Sequence, residues 1–134
     1  MATRSREYIE GFEFDWLACD ADGHVALFST AGGGYAPEEF LEDVEAHERA
    51  IGLVLSEGPG GEDTWSRCGE RGLFAYDSDY LGSPYRRIAA PERALRLEEL
   101  PPQVVDVVRR VVFNGLRFSE ENELSGELLK ASRC

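Results

Sequence analysis

Residues 12 to 54 change hydrophobic period in mid-course, and any fold for this chain has to accommodate both halves of that stretch. From Phe12 the pattern alternates. Phe12, Phe14, Trp16 and Ala18 fall on one side of an extended chain, and Glu13 and Asp15 on the other. That is the period of a β-strand. The turn-forming "CDADG" follows, then "HVALFST", which has the length and β-branched content of a second strand, so the two segments predict an antiparallel hairpin. After Gly32, Gly33 and Gly34 the period lengthens. Pro37 suits a helix start, Glu38 and Glu39 suit the positive end of its dipole, and Phe40, Val44, His47, Ile51 and Val54 recur at steps of four and three. This stripe predicts one helix of about four to five turns.

Farther along, "EGPGGED" reads as a loop and "TWSRCGER" as one or two helical turns. "GLFAYDSD" and "PYRRIAA" read as another strand pair around "SDYLGSP". "LPPQVVDVVRRVVFNG" offers prolines at a helix start, Val104, Val105, Val108, Val111 and Val112 along it, and Asn114-Gly115 at its stop. "LRFSEENELSGELLKASRC" adds a short edge strand and a helical tail. Hairpins separated by helices predict an α+β fold: a mainly antiparallel sheet of hairpins with two main helices packed against it. At 134 residues, 43% of them hydrophobic, the chain has the size and apolar content of a single domain, 1–134.

Charge narrows the function. The net charge is -12, which disfavours nucleic acid as a ligand, because duplex binding relies on Lys and Arg neutralising phosphates. Residues 1 to 63 hold 3 basic and 15 acidic side chains, and residues 64 to 134 hold 11 of each. The whole excess lies in the first half, as expected of a negative face that steers a basic partner. Glu38, Glu39, Glu42, Asp43, Glu45 and Glu48 crowd the side of the helix away from its stripe, with Arg49 the one cation among them. Like charges at these spacings cost a few tenths of a kcal/mol per pair, roughly, so the face is not arranged for its own helix. The basic residues come later, and Arg86 and Arg87 are the pair that an anion pocket would use. With no signal-peptide pattern and no apolar run of membrane-spanning length, the expected location is the cytosol, with no membrane partner. Cys19, Cys68 and Cys134 are odd in number and far apart, which predicts free thiols.

Motifs of catalysis are absent from the pattern. "AGGGYAPEEF" has no Lys, loses one N–H at Pro37 and sets two carboxylates at the helix end, so it would repel a phosphate. Glycines there permit tight packing where a strand turns into a helix. "DADG" fails as a calcium loop: with Gly23 at the sixth position, Ala18 stands where the first ligand belongs and Ser29 where the bidentate Glu belongs. A polar turn accounts for Asp20, Asp22 and His24. His24 and His47 are the two histidines, too few for a multi-histidine metal centre, and His47 on the stripe predicts a buried, hydrogen-bonded ring. No catalytic residues, metal or cofactor are assigned.

The segments "DWLACDADGHVALFSTAGGGYAP", "RGLFAYDSD", "YRRIAAP" and "LEELPPQVV", spanning about residues 11 to 118, resemble small bacterial immunity-type proteins encoded beside polymorphic toxins. The shared pattern is an aromatic-Asp hairpin, a glycine loop and a Leu-Pro before a helix. The resemblance implies a non-enzymatic protein that binds a cognate toxin domain and blocks its active site, without a cofactor. Such proteins have no universal functional residues to carry over. The first expectation is therefore an acidic binding protein that docks on a basic protein through Glu38, Glu39, Glu42, Asp43, Glu45, Glu48 and Tyr35. The alternative is a small hydrolase or ligand-binding protein with a pocket near the Gly32–Tyr35 loop, using Tyr35, His24 and nearby charges. The oligomeric state, monomer or homodimer, stays open, with Trp65, Tyr80 and Tyr85 the apolar surface that a dimer would use.

Overall fold

A computed structural model describes residues 14–55, 64–79, 82 and 84–133. Phe12, the loop over residues 57–63, the Trp65 side chain, Tyr80 and Cys134 lie outside the described set. The elements run β1 (Asp15–Asp20), β2 (Val25–Ser29), α1 (Glu38–Glu42), α2 (Val44–Leu55), α3 (Thr64–Glu70), β3 (Phe74–Asp77), β4 (Tyr85–Ala89), a 3-10 turn (Leu97–Glu99), α4 (Pro102–Val108), β5 (Val112–Phe113), β6 (Glu123–Leu124) and α5 (Gly126–Ala131). The fold is mixed α+β, with one six-stranded sheet in the order β5-β1-β2-β3-β4-β6.

The expected hairpins are present. β1 pairs antiparallel with β2, β3 with β4, and β4 with β6. The joins between them correct the expected sheet, because β2 pairs with β3 in parallel and β5 lies parallel to β1. A parallel neighbour requires a long crossover, which α1, α2 and α3 supply between β2 and β3. The cause is visible in β1 and β2, where Trp16–Asp20 and all of β2 are buried. Strands covered on both faces read as continuous apolar runs, not as a one-sided alternation.

The two faces of the sheet hold different cores. Trp16, Phe28 and Tyr76 lie side by side across β1, β2 and β3. Their rings stack at 4.1 Å between Trp16 and Phe28 and at 5.1 Å between Phe28 and Tyr76. Phe113, Phe118 and Tyr85 close around Phe28 at steeper angles. Such ring pairs add roughly 0.5–1.5 kcal/mol each beyond their burial. The opposite face is aliphatic, built from Leu17, Leu27 and Ala75 on the strands and Ala46, Ala50, Val104 and Val108 on α2 and α4.

Two helix expectations change. The helix predicted through Val54 breaks at Asp43, whose backbone leaves helical geometry at φ -152° and ψ 67°. The Asp43 side chain accepts a hydrogen bond from the Ala46 N–H at 3.2 Å, which makes it the N-cap of α2. Asp favours caps over helix interiors, so one apolar stripe is carried by two helices. The valine-rich helix stops at Val108, well before Asn114, and Val112 and Phe113 extend as β5 beside Cys19 and Asp20. β-branched valines are poor helix formers and good strand formers, and the open edge of β1 decides between the two.

Candidate functional site

The six acidic residues of α1 and α2 separate into two groups once their neighbours are known. Pro37 precedes α1, so Glu38 and Glu39 occupy its first turn. The Arg133 side chain, which follows α5, donates to both Glu39 oxygens, at 2.9 Å and 2.6 Å, and lies 5.6 Å from the Phe113 ring. This bidentate pair holds the Glu39 carboxyl below its usual range and raises Arg133. Asp43 caps α2 and also meets Arg110 at 3.3 Å, while Arg110 reaches Asp106 at 2.8 Å. Both pairs fasten the acidic helices to the second half of the chain.

Glu38, Glu42 and Glu48 differ. All three are exposed, and none makes an ion pair among the described residues. Glu45 is partly buried. Arg49 is exposed beside Glu48 on α2, while Arg117 pairs with Asp22 at 3.2 Å, Arg96 with Glu98 at 3.0 Å, and Arg86 with Glu123 at 3.7 Å. Among the described residues, Glu38, Glu42 and Glu48 are thus the exposed carboxylates of α1 and α2 left without an ion pair.

Tyr35 is half-buried and has structural neighbours. Its ring meets Trp16 edge-on at 6.5 Å, the Lys130 ammonium lies 5.7 Å from the ring centre, and its carbonyl accepts the Tyr85 hydroxyl at 2.6 Å. Tyr85 in turn accepts the Trp16 indole N–H at 3.3 Å, which joins β1, β4 and the glycine loop through buried groups. Gly34 is required there, because a Cβ would stand 2.6 Å from the Tyr85 hydroxyl. The Gly32–Tyr35 loop is a packing device. Tyr85, expected on a dimer surface, is buried at 1% exposure.

His24 precedes β2 and Tyr35 follows it; the His24 ring lies 6.0 Å from Phe74 and the Tyr35 ring 6.5 Å from Trp16. Arg86 and Arg87 alternate across β4: Arg86 meets Glu123, and Arg87 donates to the Phe118 carbonyl at 2.7 Å, so they form no joint anion pocket.

Asp20, Asp22 and His24 do come together, with ligand-type atoms within 4.8 Å of one another. The two carboxylates already have partners within the chain, whereas His24 Nδ1 is buried without one. Asp20 Oδ1 accepts the N–H groups of Asp22 and His24 at 3.0 Å and 2.9 Å, and Oδ2 accepts the Phe118 N–H at 2.8 Å. Asp20 is buried, and a carboxylate with three backbone donors ties the β1–β2 turn to the 116–118 loop. Arg117 supplies the positive charge at Asp22. The "CDADG" motif is a polar turn with a tertiary anchor. The sequence marks Asp20 as a turn former, but its partner Phe118 is 98 residues away.

The described residues also enclose an open groove of about 350 Å³ between α2 and α4, with Ala46, Ala50, Leu53 and Val107 along it and the Asp43–Arg110 pair in its wall. No helix among the described residues is long and apolar enough to cross a membrane. No protein-family model, curated protein or solved structure matches the chain.

Proposed function

We propose that the chain is a non-enzymatic acidic binding protein that docks on a basic protein through α1 and α2, in the manner of an immunity-type inhibitor covering a toxin domain. The observation that carries this reading is the exposure of Glu38, Glu42 and Glu48 without an ion pair among the described residues, in a chain whose net charge is -12. Unpaired carboxylates of this kind contribute little to the fold, whereas complementary charge on a partner accelerates encounter and excludes wrong partners. Within the reading, Glu39 and Asp43 hold the helices in place, and Tyr35 supports the loop before them. Docking by exposed charge is governed by salt, because the Debye length shrinks to about 8 Å at physiological ionic strength.

The test is capture by the tagged protein from its own cell lysate at low salt, followed by a salt gradient with mass-spectrometric identification. The reading expects one basic protein, held at low salt and released as salt rises. It then expects association with that purified partner to slow when Glu38, Glu42 and Glu48 are replaced by Gln. An association rate unchanged by those replacements, and by salt, removes this docking surface.

A further inference from the structure

The edge of β1 that faces away from β2 is closed by two unlike devices. The Cys19 N–H donates to the Val111 carbonyl at 3.0 Å, beside the two-residue pairing with β5. The Leu17 N–H, two residues earlier on the same edge, donates to His47 Nδ1 at 3.1 Å. An imidazole thus stands where the carbonyl of a neighbouring strand would. Acceptance at Nδ1 places the proton of the neutral ring on Nε2. His47 is fully buried, its Nε2 has no hydrogen-bond partner, and the Phe40 ring of α1 meets it edge-on at 5.1 Å.

We propose that His47 is an acid-sensitive latch, in which a second proton on the imidazole releases α1 and α2 from the edge of β1 while β2, β3 and β4 stay paired. An imidazolium donates at both nitrogens, so the Leu17 N–H loses its acceptor and faces a donor instead. A buried charge with one nitrogen unpaired cannot persist in place, and release into water relieves it.

Few groups around the ring can take up that charge. Arg110 at the end of α4 opposes it. Asp43 favours it, but this carboxylate already caps α2 and binds Arg110, which Asp106 also holds. On β1 the Cys19 thiol is pushed up to about 11 by burial and by the Asp20 charge, so it stays neutral. From α1 the Phe40 ring packs against it edge-on. Burial first, and Arg110 second, lower the His47 pKa to about 4. Released into water, the same ring returns towards 6.5. The released state is therefore favoured progressively as pH falls from about 6.5 towards 4. Between pH 7 and pH 5 its population relative to the closed state rises about twenty-fold. The latch does not depend on the docking reading, although the helices it frees carry Glu38, Glu42 and Glu48.

Amide hydrogen exchange followed by NMR tests it on the whole protein, with rates corrected for the intrinsic effect of pH. The latch predicts that Leu17 protection falls about twenty-fold between pH 7 and pH 5. At pH 5 Leu17 should exchange well ahead of the amides joining β2 to β3, and low denaturant should leave its rate unchanged, the mark of local opening. His47→Asn keeps an acceptor in place and cannot titrate, so its Leu17 protection should change less than about two-fold over the same range. An equal loss in His47→Asn, or exchange of Leu17 together with the β2–β3 amides, overturns the latch. So does an imidazole titration of the wild-type protein that places His47 near 6.5, a result that needs no variant.

Discussion

The β1–β2 turn and the α1–α2 segment are both acidic, and they use their carboxylates differently. In the turn, Asp20 takes three backbone N–H groups and Asp22 takes Arg117, so no carboxylate is left over. In the helices, Glu39 and Asp43 are tied to Arg133 and Arg110, while Glu38, Glu42 and Glu48 face water with no partner among the described residues. A count of acidic residues cannot separate these roles. What separates them is the satisfaction of each oxygen by the chain itself: a satisfied carboxylate stabilises the fold, and an unsatisfied one is available to another molecule.

Substitutions that remove one carboxylate at a time put this contrast under strain. Asp20→Ala would orphan three N–H groups at a largely buried site, and chemical denaturation should show a loss of roughly 3–5 kcal/mol. A loss below about 1 kcal/mol would mean that water replaces Asp20 and that the turn is not anchored. Glu39→Gln breaks the bidentate pair with Arg133. Because both side chains are partly exposed, solvent screening limits the expected loss to about 1 kcal/mol. The Glu39 carboxyl is lowered in the folded state, so its contribution is present above its ordinary value of 4.5 and fades as the pH drops through and below that value. A stability difference between wild type and Glu39→Gln that persisted at pH 2 would contradict the pairing. Asp22→Asn should leave the denaturation midpoint close to that of the wild type, because its contact with Arg117 is exposed. Replacing Glu38, Glu42 and Glu48 together by Gln should leave thermal stability within about 0.5 kcal/mol of the wild type, since none of the three makes an ion pair among the described residues. A clear destabilisation would move those residues into the first group.

Much of the fold can be read along the chain, and what cannot be read depends on distant partners. The hairpins follow from local period and turn residues. The start of α5 has a local cause too, the Ser125 hydroxyl accepting the Leu128 N–H as an N-cap, where the sequence pattern marked only a helical tail. The break at Asp43 has a local cause, a capping residue within a helical stripe, but the stripe continues across it and conceals it. β5 is strand because β1 offers an edge to Val112 and Phe113, a fact settled only after the chain returns. The parallel join of β2 and β3 has the same origin. At the candidate site the acidic residues are evident at once, but their division is not: Arg133 lies 94 residues from Glu39, and Arg110 lies 67 from Asp43. The burial of His47 follows from its place on the stripe, whereas its role at the edge of β1 needs the position of Leu17.

The most direct test of the central claim compares capture by the wild-type protein, by the Glu38→Gln/Glu42→Gln/Glu48→Gln variant and by Asp22→Asn, from the same lysate at low salt. The account predicts that wild type and Asp22→Asn retain the same basic protein, that moderate salt releases it, and that the triple variant loses it while remaining folded. Equal retention by all three proteins, or retention that survives moderate salt in the triple variant, would contradict docking through the unpaired carboxylates of α1 and α2.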